Sequence, residues 1–131
     1  MDRIEELLET PYWIIDILPK QVPENSPGQY FAVEEYFLNT KSYEIKERHL
    51  SLILKLNCYY DLILDTEVNP SPAYIAEYIH GKHAAILLED AMIVSKPDET
   101  YLTVYHPDES LLELLSVLVK GEGLYLWKGA Q

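Results

Sequence analysis

The chain has 131 residues, 48% of them apolar, with 22 acidic side chains against 10 basic ones and a formal charge of −12. That length fits one domain over 1–131 that could bury roughly two-thirds of its unfolded surface, and the apolar content without a long polar tract excludes disorder. A field of this sign repels phosphate backbones and anionic lipid, so nucleic acid and membrane surfaces are excluded as expected partners and basic ones are favoured.

Taken in chain order, residues 2–9 read as a short amphipathic helix carrying Ile4, Leu7 and Leu8, stopped by Thr10-Pro11. Residues 12–18 alternate Trp13, Ile15 and Ile17 with Tyr12, Ile14 and Asp16, the period of a strand. Pro19, Pro23, Pro27 and Gly28 punctuate the loop that follows. Residues 29–38 alternate Phe31, Val33 and Phe37 with Tyr30, Glu34 and Tyr36 and are read as a second strand. Glu35 breaks the apolar column, a conflict that a bulge or a helix would remove.

From 42 to 57 the period turns helical, with Ile45, His49, Leu52, Ile53 and Leu56 on one side. Residues 59–65 set Tyr60, Leu62 and Leu64 against Tyr59, Asp61 and Asp65, a clean strand pattern. Ser71-Pro72 starts a helix that Gly81 ends. Residues 84–89 fit either strand or helical turn. Residues 91–95 and 100–105 read as a hairpin around Lys96–Glu99, with Leu102 and Val104 opposing Tyr101, Thr103 and Tyr105. Ser110 to Glu113 is a capping-box pattern opening a Leu/Val-rich helix that Lys120-Gly121 closes, and 124–128 is the last strand.

This order contains β-α-β twice, at 29–65 and at 100–128. It predicts an α+β fold: a two-layer sandwich of a mixed, mainly antiparallel sheet with helices on one face, built on a ferredoxin-like core with additions. One column of the strands would pack under the helices. The other would leave Tyr30, Glu34, Tyr36, Tyr59, Asp61, Tyr101, Thr103 and Tyr105 on an open face, and these eight are the candidate binding residues.

No catalytic motif is present: there is no Walker loop, dinucleotide glycine pattern, nucleophile elbow or zinc-finger spacing. The strands also lack the Lys/Arg-Gly-aromatic signature of RNA-binding sheets. Glu77, His80 and His83 are the only spaced metal-ligand types, but Gly81 interrupts the helix between the histidines, so a capping role is expected and no metal or other cofactor is assigned. Among the acids, Asp16, Glu34, Asp61 and Asp65 are the ones that can share a face with tyrosines. The single Cys58 excludes an intramolecular disulfide and is expected to be a small buried hydrophobe. The reducing compartment it suits, apolar runs too short to span a bilayer and the absence of a leader pattern make a cytoplasmic protein the expectation.

Three functions follow. The first is a non-enzymatic binding module, immunity- or adaptor-like, that holds a basic protein partner on its Tyr/carboxylate face. The second is a small enzyme or ligand-binding domain with a Tyr-lined pocket and one of Asp16, Glu34 or Asp61 as base; a concave pocket with a raised-pKa carboxylate would favour it. The third is a homodimer that buries the same face against itself.

Overall fold

Residues 3–129 are described in the computed structural model. They form α1 (Arg3–Leu8), β1 (Tyr12–Asp16), α2 (Tyr30–Thr40), α3 (Ser42–Asn57), β2 (Ile63–Leu64), β3 (Glu67–Val68), α4 (Pro72–Gly81), β4 (Ala84–Leu88), β5 (Ala91–Ser95), β6 (Tyr101–Tyr105), α5 (Glu109–Gly121) and β7 (Tyr125–Lys128). All seven strands join one sheet in the order β3-β2-β4-β5-β6-β1-β7. Every pairing is antiparallel, so the sheet is not mixed between neighbours. The α+β class holds, with helices packed on a sheet.

Because side chains alternate along a strand, Ile15, Ile86, Ile93, Leu102 and Val104 fall on one face. There they meet Leu52, Ile53 and Leu56 of α3, Ile75 and Ile79 of α4, and Leu111 and Leu115 of α5. Each of these side chains is nearly inaccessible to solvent, and burying one contributes about 1.5–3 kcal/mol. Local chemistry places the helices above them. Ser71 Oγ accepts from the Tyr74 N–H at 3.2 Å and Pro72 opens α4. Asp108, not Ser110, caps α5, its Oδ1 accepting from the Leu111 N–H at 2.8 Å. Past its end, Gly123 takes a φ of +73° that glycine alone adopts freely.

Three expectations are corrected. First, 29–38 is not a strand: α2 runs over Tyr30–Thr40. Its apolar residues fit a helical spacing as well (Tyr30, Val33, Phe37), and a helix satisfies its own backbone where no neighbouring strand is offered. The conflict at Glu35 was the visible sign. The first β-α-β unit of the ferredoxin-like expectation is therefore absent. The second is present: β6 and β7 run parallel on either side of β1, joined by α5.

Second, the strand expected over 59–65 contracts to Ile63–Leu64, which turns through Asp65 and Thr66, both at positive φ, into β3. Asn69 fixes the preceding segment instead, its side chain accepting from the Leu62 N–H and donating to Asp61, each at 2.9 Å. Third, the helices are not confined to one face. On the second face Leu7 of α1 packs with Met92 and Val94, flanked by Leu87 and Tyr105. Every residue of β5 is consequently buried. Among the described residues no helix is long and apolar enough to cross a membrane.

Candidate functional site

With α1 seated over the middle of the second face, two concavities remain on either side of it. The first lies over β6, β1 and β7 and measures about 540 Å³. β1 contributes Tyr12, Ile14 and Asp16, the residues that alternation turns away from the core. Tyr101 of β6 and Trp127 of β7 flank them, and the segment ahead of α2 brings Lys20 and Gln21. The first turns of α2 add Tyr30 and Glu34. Gly129 closes the wall against Tyr12: a Cβ there would stand 2.0 Å from Tyr12 Cε2, while its N–H donates to the Tyr12 carbonyl at 2.9 Å.

Asp16 is the chemical centre of this cleft. Only 3% of its surface is exposed, and its Oδ1 accepts from the Leu18 N–H at 3.2 Å, a local turn that ends the strand. Burial raises its pKa above the ordinary carboxylate value and the nearby Glu34 adds to this, while the Leu18 and Ile17 N–H groups and Thr100 oppose it. Among the described residues neither Asp16 nor Glu34 forms an ion pair, and Lys20 and Lys128 pair with neither. Burial first, then these two carboxylates for Tyr30 and chiefly Glu99 for Tyr101, push both hydroxyls up to about 12, so both stay neutral. Tyr101 donates to Glu99 Oε2 at 2.9 Å.

The turn that carries Glu99 is pinned from the core side. Lys46 of α3 is 2% exposed and donates to the Lys96 carbonyl at 2.6 Å. Burial lowers its pKa to about 8, against the opposing pull of Glu99 and Asp98. His49 Nδ1 lies 3.5 Å from the same ammonium, and His49, fully buried, has its pKa lowered to about 3 by burial first and Lys46 second. It is a neutral core histidine, which its place on the apolar side of the helix foreshadowed. Thr100 joins the two sides: its backbone lies against His49 and its side chain near Asp16, with Oγ1 buried and short of hydrogen-bond geometry.

The second concavity, about 680 Å³, lies over β2, β3 and β4. Tyr59, Ile63 and Val68 stand 68%, 38% and 61% exposed there, beside Asp61, Glu89 and Asp90. Arg3 reaches across it, donating to the Glu89 carbonyl and lying 3.6 Å from Asp90.

The eight candidate residues thus do not form one face. Tyr30, Glu34 and Tyr101 line the first concavity, and Tyr59 and Asp61 the second. Thr103 and Tyr105 lie between, Tyr105 packed beside α1 with its ring 5.8 Å from that of Tyr12. Tyr36, 59% exposed on α2, belongs to neither. The alternation also carried three cleft residues outside the eight: Tyr12, Asp16 and Trp127 occupy the same column of their strands as Tyr101. Gly129 carried no such signal, because its role is to leave room for a ring.

Glu77, His80 and His83 are not brought together. Glu77 pairs with Lys82 at 3.4 Å, His80 pairs with Glu47 and stacks on Tyr43, and His83 is exposed. No group of three or more His, Cys, Asp or Glu side chains is gathered for a metal among the described residues. Cys58 is exposed at the end of α3, which corrects its expected burial; the helix stops there and turns its side chain outward.

Compared with family models, curated proteins and solved structures, the chain has no significant match.

Proposed function

We propose that this protein is a binding module that recognises a basic protein partner through the second face of its sheet, with the Asp16 cleft as the anchoring site. One observation supports this most: a buried carboxylate without a cation, set among neutral tyrosines, a tryptophan and a second carboxylate. A carboxylate held away from water and unpaired is costly, and a partner's cation offsets that cost. The long-range field of the −12 chain would speed the encounter. Tyrosine and tryptophan add amphipathic contact area with few rotatable bonds. A reducing, cytoplasmic setting goes with the reading, since Cys58 is exposed and unpaired.

The test is retention of length-matched basic, neutral and acidic peptides on the immobilised protein at two salt concentrations. Basic peptides are expected to bind selectively, with an association rate that falls as salt rises. Equal retention of all three sinks the proposal. Light scattering of the free protein addresses self-association, because a concentration-dependent dimer that blocks peptide binding would favour the homodimer.

The raised pKa of Asp16 in a concave site favours a second reading, a small enzyme with Asp16 as general base. Asp16 already accepts from the Leu18 N–H, and Tyr101 is already committed to Glu99. Both are therefore held as fixed binding groups, and recognition is the reading we favour.

A further inference from the structure

Building on the proposed recognition of a basic partner, we propose that the Asp16 cleft receives a single arginine side chain of that partner, its guanidinium paired with Asp16 and Glu34 and enclosed by the rings of Tyr30, Tyr101 and Trp127.

The choice of a cation follows from the charges. Asp16 and Glu34 are the anions of the cleft and, among the described residues, neither is paired. Tyr30 and Tyr101 keep their hydroxyl protons, so they add no charge of their own and still offer oxygen acceptors. Aromatic faces favour a cation over them. Arginine is preferred to lysine because its planar guanidinium is weakly hydrated, stacks on rings and spans two acceptors at once. A strongly hydrated ammonium would give up more on pairing with a carboxylate as buried as Asp16.

The volume fits as well. About 540 Å³ accommodates a long side chain with part of its backbone. Asp16 is desolvated before any ligand arrives, and its carboxylate is oriented by the Leu18 N–H, so little reorganisation accompanies binding. Lys20 and Lys128 are both exposed residues of the lining and free of ion pairs among the described residues. They act as weak internal competitors for the two carboxylates.

The probe is the blocked amino acid N-acetyl-arginine amide, with the corresponding lysine and citrulline amides as controls, citrulline being the neutral near-isostere of arginine. Binding is read by NMR at the Trp127 indole N–H and the Tyr101 amide. Arginine amide is expected to saturate these shifts, lysine amide to bind several-fold more weakly, and citrulline amide not to saturate. Asp16→Asn should weaken arginine binding at least tenfold and Glu34→Gln several-fold, each in a protein whose remaining spectrum is unchanged. Lys20→Met should tighten it.

Citrulline binding as well as arginine, or a folded Asp16→Asn that binds arginine normally, overturns the assignment. So does a loss of arginine binding in Lys20→Met, which would show that the lysine does not compete with the guanidinium for the two carboxylates. Should Asp16→Asn fail to fold, Glu34→Gln and Lys20→Met decide the matter together. Failure here is separable from failure of the broader reading. Basic peptides that bind without moving Trp127 or Tyr101 leave the partner-binding reading standing and remove the arginine site. Arginine amide that saturates the cleft while basic peptides bind no better than acidic ones does the reverse.

Discussion

At the β6-β1-β7 end of the second face, Asp16 is 3% exposed and tied to a backbone N–H, Tyr101 is bonded to Glu99, and the Glu99 turn is pinned by a buried lysine. At the β2-β3 end, Tyr59, Ile63 and Val68 stand exposed on two-residue strands, and the crossing Arg3 is half-exposed. Both ends carry tyrosines and carboxylates in the same alternating column. What separates them is cover and restraint: α2 and the segment before it roof one end, α1 occupies the middle, and among the described residues only the half-exposed Arg3 side chain crosses the other. Residue type made both ends candidates. Restraint singles out the first, because a polar group held still and dry binds more strongly than the same group in water.

Removing the divider should have the largest effect. Leu7 is 7% exposed and is the buried residue of α1 within the second cluster. Leu7→Ala is expected to lower stability by about 3 kcal/mol in chemical denaturation. Hydrogen exchange should then quicken in 3–8 and at Met92 and Val94 while the α3 amides stay protected. Uniform loss of protection would show that α1 belongs to the global cooperative unit and does not act as a local lid.

Gly129→Ala should act on the cleft end alone. The new methyl would meet the Tyr12 ring at 2.0 Å, and Tyr12 is already packed against Tyr105. An overpacking cost of about 2 kcal/mol is expected. NMR shifts should be confined to Tyr12, Tyr105, Trp127 and their neighbours, with Tyr59 and Val68 unmoved. Unchanged stability would mean that the Tyr12 ring swings aside freely and that the cleft is less restrained than argued above.

The fold class and the inner column were legible in sequence because both rest on period: Ile15, Leu102 and Val104 are buried as alternation requires, and α4 starts at its expected Ser71 cap, while α5 is capped two residues ahead of the expected Ser110. The segment 29–38 was not legible, since Tyr30, Val33 and Phe37 satisfy a helical period while Phe31, Val33 and Phe37 satisfy an alternating one, and only the availability of a neighbouring strand decides. The cleft was half legible. Alternation places Tyr12, Asp16, Tyr101 and Trp127 on one face, but that these four meet depends on β1 being inserted between β6 and β7, a strand order that no local pattern encodes. That α1 would sit on this face and split it was equally hidden, since one short apolar stripe fits either side of a sheet.

A pH series on Asp16→Asn isolates the cost of the restrained carboxylate. Its folded pKa is raised above the unfolded value of 3.8, so its favourable contribution is complete below that value and is lost as pH rises through the folded pKa. The amide keeps an acceptor for the Leu18 N–H and never ionises. The variant should therefore melt a few degrees higher than the parent at pH 7, the gap closing below pH 3.8. The groups facing the site are Tyr12, Lys20, Tyr30, Glu34, Thr100, Tyr101 and Lys128, and of these Glu34 is the other carboxylate and the one whose charge acts on Asp16. Repeating the series in a Glu34→Gln background assigns the step. A gap that persists at low pH would trace the effect to packing and not to charge.

The smallest effect belongs to the exposed end. Thr66 turns the β2-β3 hairpin at a φ of 68°, beside Asp65 at 51°. Aspartate tolerates that region, but a β-branched residue there is strained by about 1–3 kcal/mol. Thr66→Gly removes the strain but adds roughly 0.5–1 kcal/mol of unfolded-state entropy that opposes folding, so a net gain on the order of 1 kcal/mol is expected in denaturant titration. Hydrogen exchange at Val68 should slow, and arginine binding at the cleft should stay as it was. A loss of stability would mean that the Thr66 side chain stabilises the turn by more than its backbone strain costs. A change in cleft affinity would count against the separation of the two ends, since it would show strain in the β2-β3 hairpin reaching Asp16 across β4, β5 and β6.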